Sequence, residues 1–317
     1  MKWKLVGVLK GSIKSLKTPL RYPGGKSRAC TKMDQYFPDL SEYTEFCEPF
    51  LGGGSVAIHV SKKYPHLKIT VNDLYEPLIN FWVQLQTFGD ELTEKISNYK
   101  STHPDPDSAK ELFIECKSRI NDKSLDCIER AAAFYIVNKC SFSGLTEASS
   151  FSKQASISNF SMRGIEKLPG YSEIIAHWHI NQYSYEHLME NKIHDGMFMY
   201  LDPPYDIKDN LYGNKGSMHK GFDHDKFAAD CDKYDVPMLI SYNSDQLVKE
   251  RFSDWHGRWN VAEFDLTYTM RSVGEYMREQ KERKELLLFN YNMGPKIKLS
   301  FDGCYKYGKL KKEGLAS

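Results

Sequence analysis

Long apolar runs are missing from this chain. None approaches the ~20 residues that a membrane-spanning helix needs, although 41% of its 317 residues are hydrophobic. The N-terminus offers only short apolar pieces broken by lysine, so a secretory signal is not expected. Metal-ligand spacing is missing too. The 7 cysteines and 10 histidines are scattered, so no metal site is expected, and an odd, dispersed set of thiols points to a reducing, cytosol-like compartment. There is no fixed-period repeat and no low-complexity segment. Net charge is nearly absent at +1, which argues against a strongly basic protein. Acidic residues are absent from Met1 to Met33, where lysine and arginine recur, and a second basic stretch runs from Lys296 to Lys312. Such patches contact phosphates on an otherwise neutral molecule, and they equally describe solvated tails. The length suffices for one or two domains with a full core.

What is present is an alternation of strand and helix patterns. Residues 27–37 read as a short helix after a loop at 19–26. Residues 44–50 read as a strand, stopped by the glycine run Leu51-Gly52-Gly53-Gly54 and followed by a helix over 55–63. A second strand over 68–71 ends at Asn72-Asp73, and 77–85 continues as a helix. This succession of strand, glycine turn, helix, strand and acid predicts the start of a Rossmann-like sheet. Residues 86–180 differ. They carry helical patterns, notably 109–120 and 128–138, followed by a segment from Ser141 to Ser161 rich in Ser, Phe and Gly. We read 86–180 as an inserted, mostly helical unit with a mobile loop. The sheet resumes at Met197–Leu201, with later strands expected at 238–242, 260–264 and 286–291. The stretches 206–222 and 270–284 are expected to be flexible.

The most informative residues are Asp202-Pro203-Pro204-Tyr205, which leave the end of the buried run Met197–Leu201. Open α/β sheets bind ligands at such strand ends. Two prolines fix the turn and remove two backbone donors. Asp202 and a neighbouring carbonyl then form a paired acceptor for an amino group, and Tyr205 offers a flat face to a planar ring. A solvated Pro-rich turn is the plain alternative for this stretch taken alone. The glycine run lets backbone approach a ligand without a Cβ in the way, though its spacing is not G-x-G-x-x-G and a tight turn alone would also use it. Asp73 lies near the ~20-residue offset at which an acid reaches ribose hydroxyls, which favours a nucleoside-containing ligand. Pro23-Gly24-Gly25-Lys26-Ser27 looks like the end of a P-loop, but that motif requires glycine where this chain has Leu20. Tyr22 and Lys26 instead suit closure over a nucleoside at the glycine turn, Lys26 pairing with a carboxylate on that ligand. Tyr185, at the end of a short strand before the Asp-Pro-Pro-Tyr strand, is either a face for an adenine ring or a core tyrosine.

In this order the motifs resemble those of the Dam-like adenine-specific DNA methyltransferases, the D12 class or alpha-type amino methyltransferases. Tyr22-Pro-Gly-Gly-Lys26 is similar to the N-terminal cofactor motif. Phe46-Cys-Glu-Pro-Phe50-Leu-Gly52-Gly-Gly54 is similar to the glycine motif, and Asn72-Asp73 to the ribose acid. Ile240-Ser-Tyr-Asn243 and Glu285-Leu-Leu-Leu-Phe289 resemble later sheet motifs, so the match covers about residues 19–291. The resemblance implies an α/β fold, a Rossmann-like S-adenosylmethionine-dependent methyltransferase sheet. Residues 1–85 and 181–317 would form a discontinuous catalytic domain, and 86–180 an inserted target-recognition domain. It implies S-adenosylmethionine as methyl donor, bound by Tyr22, Lys26, Phe50, Gly52, Asp73, Tyr185 and Asp202. The acceptor would be an adenine flipped out of double-stranded DNA, met by Asp202, Pro203 and Tyr205 as catalytic residues, with in-line transfer and no metal.

Asn138-Lys-Cys-Ser-Phe-Ser-Gly-Leu-Thr-Glu147 resembles the start of the family's DNA-reading hairpin, placing Lys139, Phe142, Ser143, Leu145 and Glu147 at the duplex. Members reading GATC tend to carry arginine where this chain has Glu147; arginine reads guanine bidentately and glutamate does not. A GATC target is therefore not expected. A cytoplasmic setting follows, bacterial or in the host cell of a phage or virus, with a restriction endonuclease as a partner acting on the same site without contact. Three other readings compete: a methyltransferase acting on cytosine N4 or on an amine in RNA or protein, a catalytically dead DNA-binding protein, and a nicotinamide oxidoreductase. The glycine spacing and the Pro-Pro turn disfavour the last.

Overall fold

Strands buried on both faces and helices capped by short polar side chains set the architecture. The structure is a computed structural model that describes residues 13–144, 149–205, 221–253, 257–265 and 284–293. A short helix α1 (Cys30–Met33) and a 3-10 turn (Leu40–Glu42) lead to β1 (Glu45–Glu48), every residue of which is buried. Gly54, in the left-handed region at φ 65°, breaks the chain before α2 (Ser55–Lys63). β2 (Lys68–Asn72) and α3 (Glu76–Thr87) follow, with Pro77 in the first turn of α3.

The next stretch is helical: α4 (Gly89–Thr102), α5 (Pro106–Arg119) and α6 (Cys127–Cys140), a 3-10 turn at Phe142–Gly144, then α7 (Lys153–Ser158), α8 (Met162–Ile165) and α9 (Leu168–Ile175). Asp105 caps α5 and Asp126 caps α6, each accepting backbone amides of the first turn; such caps contribute about 1 kcal/mol apiece. The chain then re-enters the sheet at β3 (His179–Asn181), passes through α10 (Tyr185–Asn191), and forms β4 (Met197–Leu201), buried throughout. α11 (His224–Lys233), β5 (Met238–Asn243), α12 (Gln246–Ser253), β6 (Asn260–Asp265) and β7 (Lys284–Phe289) complete it.

The seven strands form one sheet in the order β3-β2-β1-β4-β5-β7-β6. β1 to β5 run parallel; β7 is antiparallel to both β5 and β6. A strand stands at each of the six ranges expected, but the short strand expected to end at Tyr185 ends at Asn181, because Ser184 caps α10 and Tyr185 opens that helix. β3 begins at His179, two residues inside the range expected for the insert. Strand order reverses between β1 and β4, so the glycine turn after β1 and Asp202 after β4 leave adjacent strand ends on one edge of the sheet, where open α/β sheets bind ligands.

Two hydrophobic layers cover the sheet. On one face the inserted helices and α3 share one core with the strands. There Phe81 meets Phe134 and Tyr135, and Trp82 meets Trp178. On the other face α10, α11 and α12 pack over Met199, Leu201 and Ile240. Ser141 and Phe151 form an antiparallel bridge, and Phe142 N donates to Ser150 O; residues 145–148 between them lie outside the described residues. Most of the stretches expected to be flexible, 206–220 of the first and 270–283 of the second, lie outside the described residues, as do Lys296–Lys312 and the first 12 residues.

Candidate active site

A cavity of about 400 Å³ opens at the reversal point, within the size range of small-molecule sites. Its walls come from the Tyr22–Lys26 segment, the turn after β1, Asn72 to Tyr75 after β2, Tyr183 to Glu186 after β3, and Asp202 to Tyr205 after β4. Sequence motifs separated by nearly 180 residues therefore line one space.

Glycine is required in the floor of this cavity. Gly52 has φ 47°, and a Cβ there would sit 2.9 Å from the Tyr22 ring; a Cβ at Gly53 would sit 3.0 Å from Tyr22 Cβ. Tyr22 thus lies directly on the glycine turn. Asp73 closes the turn from the other side: one carboxylate oxygen accepts the Gly52 amide at 2.9 Å, the other the Tyr75 amide at 3.0 Å. Burial pushes the Asp73 carboxyl above the ordinary carboxylate range, against the opposing pull of the Gly52, Tyr75 and Leu74 amides. Ser55 Oγ, in the same wall, is buried with no hydrogen-bond partner among the described residues.

Lys26 occupies the opposite end. It is 2% exposed, and its ammonium bonds both oxygens of Asp202 at 2.9 Å, the Gly24 carbonyl at 2.8 Å and the Tyr205 hydroxyl at 2.7 Å. Glu285 stands 3.2 Å away and accepts the Tyr205 hydroxyl at 2.6 Å. Ser241 Oγ donates to Asp202 Oδ1 at 2.8 Å and is itself joined to Tyr200. The sequence pattern paired Lys26 with a carboxylate on a ligand; the structure puts its ammonium on two carboxylates of the protein. Glu48, at the end of β1, accepts the Ala57 amide, and burial, reinforced by the Asp202 charge, raises its pKa well above the ordinary value.

The remaining sequence candidates fall as follows. Phe50 and Tyr185 stand in the wall, their rings 5.5 Å apart and both against Phe222. Tyr185 is largely core, with its hydroxyl on Asp230; Tyr183 is the more exposed aromatic at that wall, at 46%. Pro203 is buried in the turn, and the Tyr205 ring stacks on Tyr242 at 5.8 Å. Lys139 is half-buried over the Tyr135 ring, and Phe142 is exposed at 55%. Leu145 and Glu147 lie outside the described residues, as does the Ser143 side chain. Among the described residues no group of three or more His, Cys, Asp or Glu side chains converges to hold a metal ion, and no helix is long and apolar enough to cross a membrane.

The sequence profile of the D12 class N6 adenine-specific DNA methyltransferases matches residues 22–270. The chain belongs to that family. It is 24% identical over 286 residues to the type II methyltransferase M1.LlaDCHI of Lactococcus lactis subsp. cremoris, covering 86% of this chain and 94% of that protein. It is 24% identical over 291 residues to the type II methyltransferase M.MjaIII of Methanocaldococcus jannaschii, covering 86% and 98%. A 126-residue match at 29% identity joins it to the DNA adenine methylase of Vibrio cholerae, over 40% of this chain and 42% of that protein.

In this D12-class methyltransferase the sequence motifs did not single out Ser241, Glu285 or Tyr183 individually. Ser241 and Glu285 sit inside the two late sheet motifs, and an acid directly before the apolar run Leu286–Phe289 was the available signal for Glu285.

Proposed function

We propose that this enzyme transfers a methyl group from S-adenosylmethionine to the exocyclic amine of an adenine flipped out of duplex DNA. The observation that carries this reading is the convergence of Asp202, Lys26 and the glycine turn on one cavity at the sheet's reversal point. The cavity's residues fit the donor. The glycine floor admits close backbone approach, Asp73 can accept ribose hydroxyls with lone pairs its two amides leave open, and Ser55 Oγ awaits a partner. Phe50, Tyr22 and the aromatics at 183 and 185 are suited to an adenine ring. Bound S-adenosylmethionine would supply an electrophilic methyl group on a sulfonium.

The protein's own groups then act on the acceptor. Asp202 and the Pro203 carbonyl accept hydrogen bonds from the two N–H groups of the amine and turn the nitrogen lone pair toward the methyl group; the methylated nitrogen then gives up one proton. Tyr205 contributes a flat wall for the base. Alignment and a preorganised carboxylate in a water-poor site carry the rate. A base inside a stacked duplex cannot reach such a pocket, which is why flipping belongs to this reading.

Residues 86–180 are assigned here to target recognition and 1–85 with 181–317 to catalysis. Lys139, Phe142, Ser143, Leu145 and Glu147 would face the duplex, with Phe142 exposed just after α6, and Glu147 favours a target other than GATC. A cytoplasmic setting and a restriction endonuclease acting on the same site accord with the type II relatives. Labelled methyl transfer to unmethylated genomic DNA, with product nucleosides resolved, tests the reading. N6-methyladenine as the labelled product is expected; label in cytosine, RNA or protein instead would overturn it.

A further inference from the structure

Asp202 is occupied in a way that the transfer reaction has to undo. Its Oδ1 takes Lys26 and Ser241, and its Oδ2 takes Lys26 again. As the adenine nitrogen attacks, the carbon–sulfur electrons leave with sulfur and positive charge builds on the nitrogen. An ammonium on the same carboxylate repels that charge and competes for its lone pairs. The ammonium therefore needs a second place to rest, inside the protein and close by.

Glu285 provides one. It is the second residue of β7, opposite Asn243 of β5, and is 1% exposed. Its Oε1 lies 3.2 Å from Lys26 Nζ and 2.6 Å from the Tyr205 hydroxyl. That hydroxyl also accepts from Lys26, so Tyr205 bridges ammonium and carboxylate. A buried carboxylate of this kind costs desolvation and persists only with such partners. The charges agree with the same role. Lys26 against Asp202 alone sums to zero, with Glu48 held toward its neutral form by burial. Adding Glu285 leaves the trio of Lys26, Asp202 and Glu285 with one formal negative charge, apart from Asp73 elsewhere in the cavity, which complements a cationic donor and a nitrogen turning cationic.

Resting on the reading above, we propose that Glu285 is a positioning residue that takes over the Lys26 ammonium when the target amine engages Asp202. It touches neither donor nor acceptor. It acts through Lys26 and Tyr205, freeing Asp202 while keeping the ammonium buried and paired.

The test is Glu285→Gln in the full chain, which keeps the shape and removes the charge. Single-turnover methylation of target DNA should slow about a hundredfold, while cofactor and DNA dissociation constants stay within about threefold. In a Lys26→Met background the same change should cost less than about threefold, because residues acting as a unit are not additive. Wild-type turnover by Glu285→Gln, or full additivity with Lys26→Met, overturns the proposal. Should Glu285→Gln not fold, Glu285→Asp replaces it, with a loss of about tenfold expected and unchanged turnover counting against the role. The wild-type enzyme in the same assay separates the two readings. If it methylates no adenine, the proposed reaction fails; if it does and Glu285→Gln matches it, only the role of Glu285 fails.

Discussion

Two demands on Asp73 pull in opposite directions under the proposed reading. There its carboxylate accepts ribose hydroxyls best when ionised, yet burial raises its pKa despite the amides that support the charge. A carboxyl whose folded pKa is raised binds its proton more readily folded than unfolded. Its ionised form therefore costs stability at neutral pH, and that cost is relieved as pH falls through the raised value. Cofactor binding should accordingly weaken on acidification from a higher pH than an ordinary carboxylate would give. Asp73→Asn should flatten that profile and bind the cofactor about tenfold more weakly at neutral pH. Cofactor titrations from pH 5 to 8 check this; parallel profiles for the two proteins would remove Asp73 from the site. The placement of Asp73 and Asp202 at the cavity was legible because each acid ends a strand pattern. The Lys26 pairing was not. It joins residues 176 positions apart, and no local pattern reports which carboxylate a buried ammonium will find.

At the scale of elements, α6 ties residues 141–144 to the segment that leads into Tyr22–Lys26. Asn138, fully buried near the end of α6, accepts the Arg21 amide at 2.9 Å and donates to the carbonyls of Arg21 and Gly144. Arg21 returns a bond to the Ser141 carbonyl, and Gly144 has no room for a Cβ against the Arg21 backbone. Asn138→Ala leaves buried backbone groups unpaired and should cost about 3 kcal/mol of unfolding free energy. Denaturant titration measures it; a loss below about 1 kcal/mol would show that the link is dispensable. Most strands and the helices α2, α3, α5 and α6 were readable as elements because periodicity is a local signal. The insertion of antiparallel β7 between β5 and β6 was not, since neighbour order depends on contacts across the whole sheet. The bridge between Ser141 and Phe151 escaped for a related reason: its segment lacks alternation, and backbone bonds alone define it.

For the whole molecule, a net charge of +1 means that attraction to DNA rests on local arrangement. Lys139 illustrates this. Desolvation, with repulsion from Arg21 and Lys167, lowers its pKa to about 7, while the Tyr135 ring beneath it favours the charged form. Folding then disfavours the ammonium, so stability from this group rises with pH between about 7 and the ordinary lysine value. A phosphate nearby favours the ammonium instead, and DNA binding should take up a proton. Affinity should fall as pH rises from 6 to 8.5, and Lys139→Arg, charged throughout, should flatten that fall. Lys139→Ala should also reduce the salt slope of binding by about 1. Binding isotherms at several pH and salt values check both, and a wild-type affinity that ignores pH would place Lys139 away from phosphate.

The most direct test compares DNA from a host lacking adenine methylation that expresses either the wild-type enzyme or Asp202→Ala, with every N6-methyladenine mapped. Removing Asp202 leaves Lys26 paired with Glu285, so the variant is expected to fold and to bind DNA, which is held mainly through phosphates. Methylation at one short sequence in the wild type, with a rate at least about a thousandfold lower in the variant, is the predicted result. Equal methylation by both proteins would contradict the role given to Asp202, and none by either would contradict the reaction itself.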